Sequence, residues 1–214
     1  MAEHYSARTP SSRTRPETLS LTIRNRSFRF RTDAGVFSRG RLDRGTELLA
    51  EALDVGPCEL VLDLGCGYGV LGIVAAKLSE ESHVILTDVN ERAAALAIAN
   101  LKRNRVTNAE VRVGDLYGPV AGLRFDHIVC NPPIRAGRAV VDRIIEEAPD
   151  HLLDGGRLWL VVRTRQGAKA IRARIVRAFG QADVARRGSG YKVFCATKRP
   201  EGDRGESRTA HGSV

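Results

Sequence analysis

Cysteine, methionine, tryptophan and lysine are scarce in this 214-residue chain, at four, one, one and five residues. Cys58, Cys66, Cys130 and Cys195 have neither the spacing of a metal knuckle nor that of a redox pair, so a disulfide scaffold, a zinc ribbon and a dithiol catalyst are excluded. Their expected state is reduced, as small residues filling tight places. The five histidines carry no ligand motif, and no His, Cys or carboxylate cluster has metal spacing, so no metal is expected. His83 and His127 read as ordinary polar residues at strand starts, and Trp159 as core. No apolar run approaches bilayer length, and Met1 to Ser6 lack the apolar core of a signal peptide. A cytoplasmic protein with no membrane partner is the expectation.

The chain is rich in arginine. The net charge is +9 and the pI about 9.9, which suggests a polyanionic partner. Codon bias competes as an explanation, so distribution matters more than the total. Ten arginines between Arg8 and Arg44 crowd a segment with few acids, and Arg163, Arg165, Lys169, Arg172, Arg174 and Arg177 form a second group. Nucleic acid is the favoured reason for the first group, and a solvated tail the competing one. Residues 1–18 and 200–214 are polar and aperiodic and are expected to be disordered tails flanking one domain over 19–199.

Within 19–30, apolar and polar residues alternate in strand fashion, with Asn25-Arg26 as a candidate hairpin turn. A helix over 42–53 follows. The spacing then predicts strands near 59–63, 83–87, 109–113, 126–130, 157–162, 181–186 and 191–197. Helices are predicted near 70–78, 91–104 (capped by Asn90), 138–148 and 167–179. Such alternation is an α/β architecture. It implies a mostly parallel seven-stranded sheet with helices on both faces, closed by a C-terminal antiparallel hairpin.

Two motifs carry chemistry. Val61-Leu62-Asp63-Leu64-Gly65-Cys66-Gly67-Tyr68-Gly69-Val70 is a buried strand running into a glycine-rich turn and a helix. Gly65 and Gly67 permit the turn and the close approach of a cofactor, and Gly69 lets the helix begin against the strand. Asp88, ending the next strand, suits the two hydroxyls of a ribose. Asp115 suits an adenine amino group, with Leu116 packing on the ring. A dinucleotide site offers similar parts. Here the spacing is G-x-G-x-G, and Asp63 would repel a pyrophosphate while suiting a cationic amino-acid end. S-adenosylmethionine is therefore the expected cofactor. The second motif, Asn131-Pro132-Pro133-Ile134, ends the strand Phe125–Cys130. A planar amine is a poor nucleophile because its lone pair is delocalised. It needs two acceptors that align that lone pair with the methyl group. The Asn131 side-chain carbonyl, which also borders the cofactor, and the Pro132 main-chain carbonyl suit that task. The prolines hold the backbone stiff, and alignment is the main catalytic contribution.

With these residues the chain resembles a class I S-adenosylmethionine-dependent methyltransferase with a Rossmann-like fold. More narrowly, it is similar to the small-domain family containing the guanine-N2 methyltransferases of small-subunit (16S) ribosomal RNA. The resemblance covers about 19–199 and rests on four motifs: Gly35-Val36-Phe37-Ser38, Leu42-Asp43-x-Gly45-Thr46, Asp63 to Gly69, and Asn131-Pro132-Pro133. Single-domain members also share Asn131 to Gly137 and Gln166 to Lys169. The resemblance implies that Asn131 binds the target amine and that Asp63, Gly65, Asp88 and Asp115 hold the cofactor. It implies too that the Gly35–Ser38 loop lies over the pocket. Many relatives carry an aromatic residue where Ile134 stands, so the base would pack on Ile134 and Pro133, with Phe37 or Tyr68 as the alternative stacking face. Arg135, Arg138 and the N-terminal arginines would hold phosphates. Larger relatives have a second, degenerate domain; this chain is expected to do without it, with the basic segment or a homodimer compensating. A monomer and a homodimer both stay open.

The expected function is methyl transfer to a guanine exocyclic amine in RNA, most naturally ribosomal RNA or the small subunit. Three alternatives remain: a protein glutamine N-methyltransferase, a small-molecule methyltransferase, and a non-catalytic RNA-binding assembly factor.

Overall fold

A computed structural model of the chain describes residues 15–36 and 41–200, apart from the Arg135 side chain. In chain order the elements are β1 (Glu17–Ile23), β2 (Arg26–Thr32), α1 (Arg44–Ala52), β3 (Leu60–Leu64), α2 (Val70–Leu78), β4 (His83–Asp88), α3 (Glu91–Arg103), β5 (Ala109–Val113), β6 (Phe125–Cys130), α4 (Arg138–Glu146), β7 (Leu152–Arg163), α5 (Ala168–Phe179), β8 (Asp183–Gly188) and β9 (Tyr191–Thr197). Short 3-10 turns lie between some of them.

Seven strands form one sheet in the order β5-β4-β3-β6-β7-β9-β8. β3, β4, β5, β6 and β7 are mutually parallel, and β9 runs antiparallel to β7 and β8. This is the doubly wound sheet with a terminal hairpin that the sequence pattern implies. Alternate strand residues serve opposite faces. Val61, Val84, Leu86, Val129 and Val161 pack on one side with α1, α2 and α3. Leu62, Leu64, Ile85, Ile128 and Leu160 pack on the other with α4 and α5. From β3 the chain winds outward to β5, then returns to β6 on the other side of β3. The crevice at the carboxyl ends of β3 and β6 is therefore the place where such a sheet accepts a ligand.

β7 begins five residues before the strand expected over 157–162. Asp154-Gly155-Gly156 reads locally as a turn, yet it stays in the strand because Gly155 N–H donates to Lys198 O and Lys198 N–H to Gly156 O. β1 and β2 pair from Glu17 opposite Thr32 to Ile23 opposite Arg26. Their turn is Arg24-Asn25, one residue earlier than the Asn25-Arg26 expectation. Both residues have positive φ, 51° and 59°, the two-residue geometry that matches strand twist. The register follows the inward-facing Phe28, Phe30 and Thr32, and a slip of one would turn all three to solvent. Glu17 and Thr18 belong to this hairpin rather than to a tail. Of the rest of the expected tails, Arg15, Pro16 and Pro200 are described, and residues 1–14 and 201–214 lie outside the described residues.

The hairpin docks on α3 through two asparagines that imitate a strand. Arg31 N–H donates to Asn100 Oδ1 at 2.6 Å, and Asn100 Nδ2 donates back to Arg31 O at 2.9 Å. One helical turn on, Arg29 N–H donates to Asn104 Oδ1 at 3.0 Å, and Asn104 Nδ2 donates to Arg29 O at 2.8 Å. Four residues of helix rise about 6.0 Å and two of strand about 6.6 Å, so the two periods match. Asn100 is fully buried and also donates to Tyr68 O at 2.9 Å, tying the hairpin to the glycine turn. Asn100→Ala should cost about 3 kcal/mol by urea unfolding, because buried main-chain groups lose their partners, and the more exposed Asn104→Ala about 1 kcal/mol. Two equally small losses would refute this docking role.

A candidate active site at the sheet switch point

β3 ends at Leu64 and the chain turns through Gly65, Cys66 and Gly67 before α2 begins at Val70. Gly65 and Gly67 have φ of +73° and +57°, and a Cβ on either would meet no protein atom within 4 Å. It would instead stand in a cavity of about 300 Å³ lined by both glycines. That cavity also takes in Val36, Thr46, Asp88, Asp115, Leu116 and Asn131. Gly69 does not line it. With φ +93° it starts α2 and packs against Ala97 and Leu86, so its role lies in seating the helix.

The main-chain donors of the turn are already used. Gly65 and Cys66 N–H both donate to Thr87 O at 2.9 Å, and Gly67 N–H donates to Asp88 Oδ2 at 2.8 Å. Gly65, Cys66 and Gly67 therefore present no free amides to a pyrophosphate. Asp88 Oδ1 accepts from Asn90 N–H at 2.8 Å. A carboxylate has about four lone-pair sites, so Asp88 can accept beyond these main-chain bonds, and burial raises its pKa above the usual carboxylate value. Asp63 lies behind the turn, 1% exposed and outside the cavity lining. Its Oδ2 accepts from Gly72 N–H at 2.7 Å, while its Oδ1 is buried without a hydrogen-bond partner. Burial, aided by the nearby Asp88 charge and opposed by the Gly72 bond, raises its pKa to about 7. Asp63, fully buried, and the half-buried Asp88 are close enough for the Asp88 charge to act on Asp63, and a cation in the cavity would favour the ionised form of both.

Asp115 and Leu116 line the adjoining part of the cavity after β5. Leu116 sits at φ +44°, a conformation uncommon for a side chain of its size. Asp115 Oδ2 is already engaged by Arg143 Nη1 at 3.0 Å. Cys66 and Cys130 are buried, and burial pushes both thiols well above the ordinary range. They stay protonated and unreactive.

On the β6 side, Asn131 and Pro132 enter the lining together with Pro133. Pro133, at φ −75° and ψ 74°, makes an inverse γ-turn in which Ile134 N–H donates to Pro132 O at 2.8 Å. The Pro132 carbonyl is thereby fixed with one lone pair free. Asn131 Nδ2 donates to Thr46 Oγ1 at 2.8 Å and to Asp43 Oδ2 at 3.2 Å. Ile134 is partly buried against the core on the α4 and α5 face and is outside the lining. Phe37 and the Arg135 side chain lie outside the described residues. Val36, from the loop expected to cover the pocket, does line it. That loop is held by Asn90 Nδ2 donating to Gly35 O at 3.1 Å and Arg92 Nη1 donating to Ala34 O at 2.9 Å. In sequence, Asp43 and Thr46 stood in a shared family motif without an assigned role; a contact spanning 88 residues leaves no local signal.

The family profile described as Methyltransferase small domain matches residues 27–195. The chain belongs to that family. This methyltransferase is 36% identical over 200 residues to the uncharacterized protein YbxB of Bacillus subtilis, covering 92% of the chain and all of that protein. It is 37% identical over 171 residues to ribosomal RNA small subunit methyltransferase C of Hamiltonella defensa, covering 78% of the chain and 49% of that protein. The chain thus spans about half the length of the methyltransferase C relatives. The structure matches the T. thermophilus 16S rRNA N2 methyltransferase RsmC, solved with AdoMet and guanosine. The TM-score is 0.78 at 28% identity, over 89% of this chain and 52% of that one. Fold, cavity and family together are those of an S-adenosylmethionine-dependent methyltransferase.

Histidine and arginine placement departs from the sequence expectation in two ways. His127 is 1% exposed, a core residue rather than an edge one. Trp159 Nε1–H donates to its Nδ1 at 3.1 Å, so Nε2 carries the hydrogen and donates to Glu59 at 2.8 Å. Burial lowers its pKa and keeps it neutral. Arg24 and Arg26 staple the hairpin to the ends of α1 and α2, donating to Leu53 O and Lys77 O respectively, where helix carbonyls lack partners. Arg41, Arg44 and Arg163 instead line a polar groove with Asp43, Glu47 and Tyr191. Among the described residues, no helix is long and apolar enough to cross a membrane, and no cluster of three metal-ligating side chains occurs.

Proposed function

We propose that this chain methylates the exocyclic N2 amine of a guanine in small-subunit ribosomal RNA, using S-adenosylmethionine. The observation that carries the reading is Asn131. Both hydrogens of its amide are taken by Asp43 and Thr46, so its carbonyl oxygen is the face left for a planar NH2 in the cavity. Pro132 O offers the second acceptor.

The donor set fits the cofactor. Gly65 and Gly67 leave its room, and Asp88 has lone pairs for two ribose hydroxyls. Asp115 and Leu116 border the place for adenine, and Asp63, behind the turn, would act on the ammonium end through its field once ionised rather than by contact. When bound, the cofactor supplies a methyl group made electrophilic by its sulfonium. The residues of this chain then act by orientation. Asn131 and Pro132 hold the two amine hydrogens so that the nitrogen lone pair, rather than an N–H, faces the methyl. Pro133 walls the base. Arg41, Arg44 and Arg163, in the groove that shares Asp43 and Tyr191, would hold flanking phosphates. The methyltransferase C relatives and the RsmC structure act on ribosomal RNA by their names, which supports RNA over other planar amines.

Tritiated cofactor incubated with small subunits lacking the modification should label material that nuclease, not protease, renders soluble. Nucleoside mass spectrometry should then identify N2-methylguanosine, absent from cells without the gene. Label released by protease alone would replace this reading with transfer to a protein amide.

A further inference from the structure

Asp43 makes more bonds than a helix cap requires. Its Oδ2 accepts from Gly45 N–H at 2.8 Å and Thr46 N–H at 3.0 Å, which is capping. The same oxygen accepts from Asn131 Nδ2 at 3.2 Å, and Oδ1 accepts from the Tyr191 hydroxyl at 3.2 Å. A Cβ on Gly45 would lie 2.8 Å from Asp43 Oδ2 and 2.9 Å from the Tyr191 ring. Glycine there keeps the corner small enough for three distant segments to meet: the start of α1, the end of β6 and the start of β9.

We propose that Asp43 is a positioning residue for methyl transfer, fixing the direction in which the Asn131 amide faces and polarising its carbonyl oxygen toward the target amine. The proposal deepens, and rests on, the reading of Asn131 as the acceptor of that amine.

A carboxylate only accepts hydrogen bonds, so the group facing Asp43 must be the amide nitrogen. A hydroxyl alone would not settle the matter, since Thr46 can donate or accept. With the carboxylate in place, a flipped Asn131 would set oxygen against oxygen inside a part-buried site. The flip would also turn an N–H donor toward the amine, whose hydrogens it would repel. A negative charge on the nitrogen side of an amide draws electron density onto the oxygen and strengthens it as an acceptor. That strengthening grows as the reaction proceeds. The amine gains positive charge as its nitrogen forms the bond to the methyl carbon, the old bonding pair leaves with sulfur, and the surplus proton passes to water. A contact that tightens with this charge favours the transition state over the bound substrate. Tyr191 holds the second carboxylate oxygen and so orients the carboxylate, at a position the basic groove shares.

Three variants separate capping from positioning. Asp43→Asn keeps an oxygen for the cap and for Asn131 but removes the charge. Asp43→Ser keeps the cap and is too short to reach Asn131. Thr46→Val keeps the shape and removes the hydroxyl, serving if either Asp43 variant folds poorly. On small-subunit RNA, kcat should fall about 10-fold in Asp43→Asn and Thr46→Val and about 100-fold in Asp43→Ser, with cofactor affinity and KM within about threefold. The side-chain NH2 resonances of Asn131 should move upfield in both Asp43 variants, a readout that needs no substrate. Asp43→Ser added to Asn131→Ala should cost nothing further. Full kcat in Asp43→Ser, unmoved Asn131 resonances, or a kcat loss matched by cofactor affinity overturns the proposal. A wild type silent on ribosomal RNA overturns the RNA reading instead; the same kcat comparison on the amine that tritium identifies then decides for or against Asp43.

Discussion

Asn131→Ala is expected to lower kcat for methyl transfer by about 10³-fold, with cofactor affinity changed less than threefold. Asn131 is not bonded to the glycine turn, and its hydrogen bonds run to Asp43 and Thr46. Its removal therefore leaves Gly65, Gly67 and Asp88 as they stand. What is lost is the acceptor that turns the amine. A guanine amine left to Pro132 O alone can rotate about its C–N bond, and its lone pair is conjugated with the ring in the resting orientation. The penalty falls on reaching the transition state, so it should appear in kcat and in single-turnover rates. Asn131→Asp offers a second check. Its carboxylate keeps an acceptor for the amine but sets a second negative charge against Asp43. Activity should fall at neutral pH and recover partly toward lower pH, where one of the pair takes a proton. Equal turnover by Asn131→Ala and wild type would remove Asn131 from the mechanism.

Most of the sheet could be read from period alone. Helices α2, α3 and α5 and strands β5 and β9 lie within a residue of their expected spans, because apolar periodicity, Asn90 before α3 and the glycines punctuate them. Two elements differ for the same physical reason. The β1–β2 turn and the first half of β7 are set by partners far away in sequence: the docking of Phe28 and Phe30, and the Lys198 bonds to Gly155 and Gly156. Local residues in each read as something else. The cavity shows the same division. Gly65, Gly67, Asp88, Asp115 and Asn131 could be named because each lies at or just after a strand end in a recognisable pattern. Asp43 and Thr46 could not be given their contact with Asn131, since nothing within their own helix requires it. Ile134 sits in a functional motif, yet its side chain packs into the core; sequence adjacency to Asn131 and Pro133 does not carry cavity exposure with it.

The buried Asp63 makes a second large effect, visible in stability. Its pKa is about 7 in the folded chain against an ordinary 3.8. Between those values the folded protein holds a proton that the unfolded chain has released. Asp63 therefore contributes full stability below about pH 4, and that contribution is lost as pH rises to about 7. The loss is on the order of 4 kcal/mol at alkaline pH. His127 acts in the opposite sense, because its lowered pKa removes stability as pH falls below about 6.5. Comparison with Asp63→Asn isolates the carboxyl from the histidine. The amide oxygen can still accept from Gly72 N–H, and the pH dependence due to residue 63 disappears. The wild type minus variant difference in melting temperature should fall steadily from pH 5 to pH 8, by roughly 10 °C for an effect of this size in a domain of this length. Cofactor should offset that fall. A cation beside the glycine turn favours ionised Asp63, so S-adenosylmethionine should raise the wild-type melting temperature more at pH 8 than at pH 6. Asp63→Asn should lose the extra gain. Parallel melting curves for the two proteins across this range, with and without ligand, would show that the carboxyl neither titrates there nor senses the cofactor's charge.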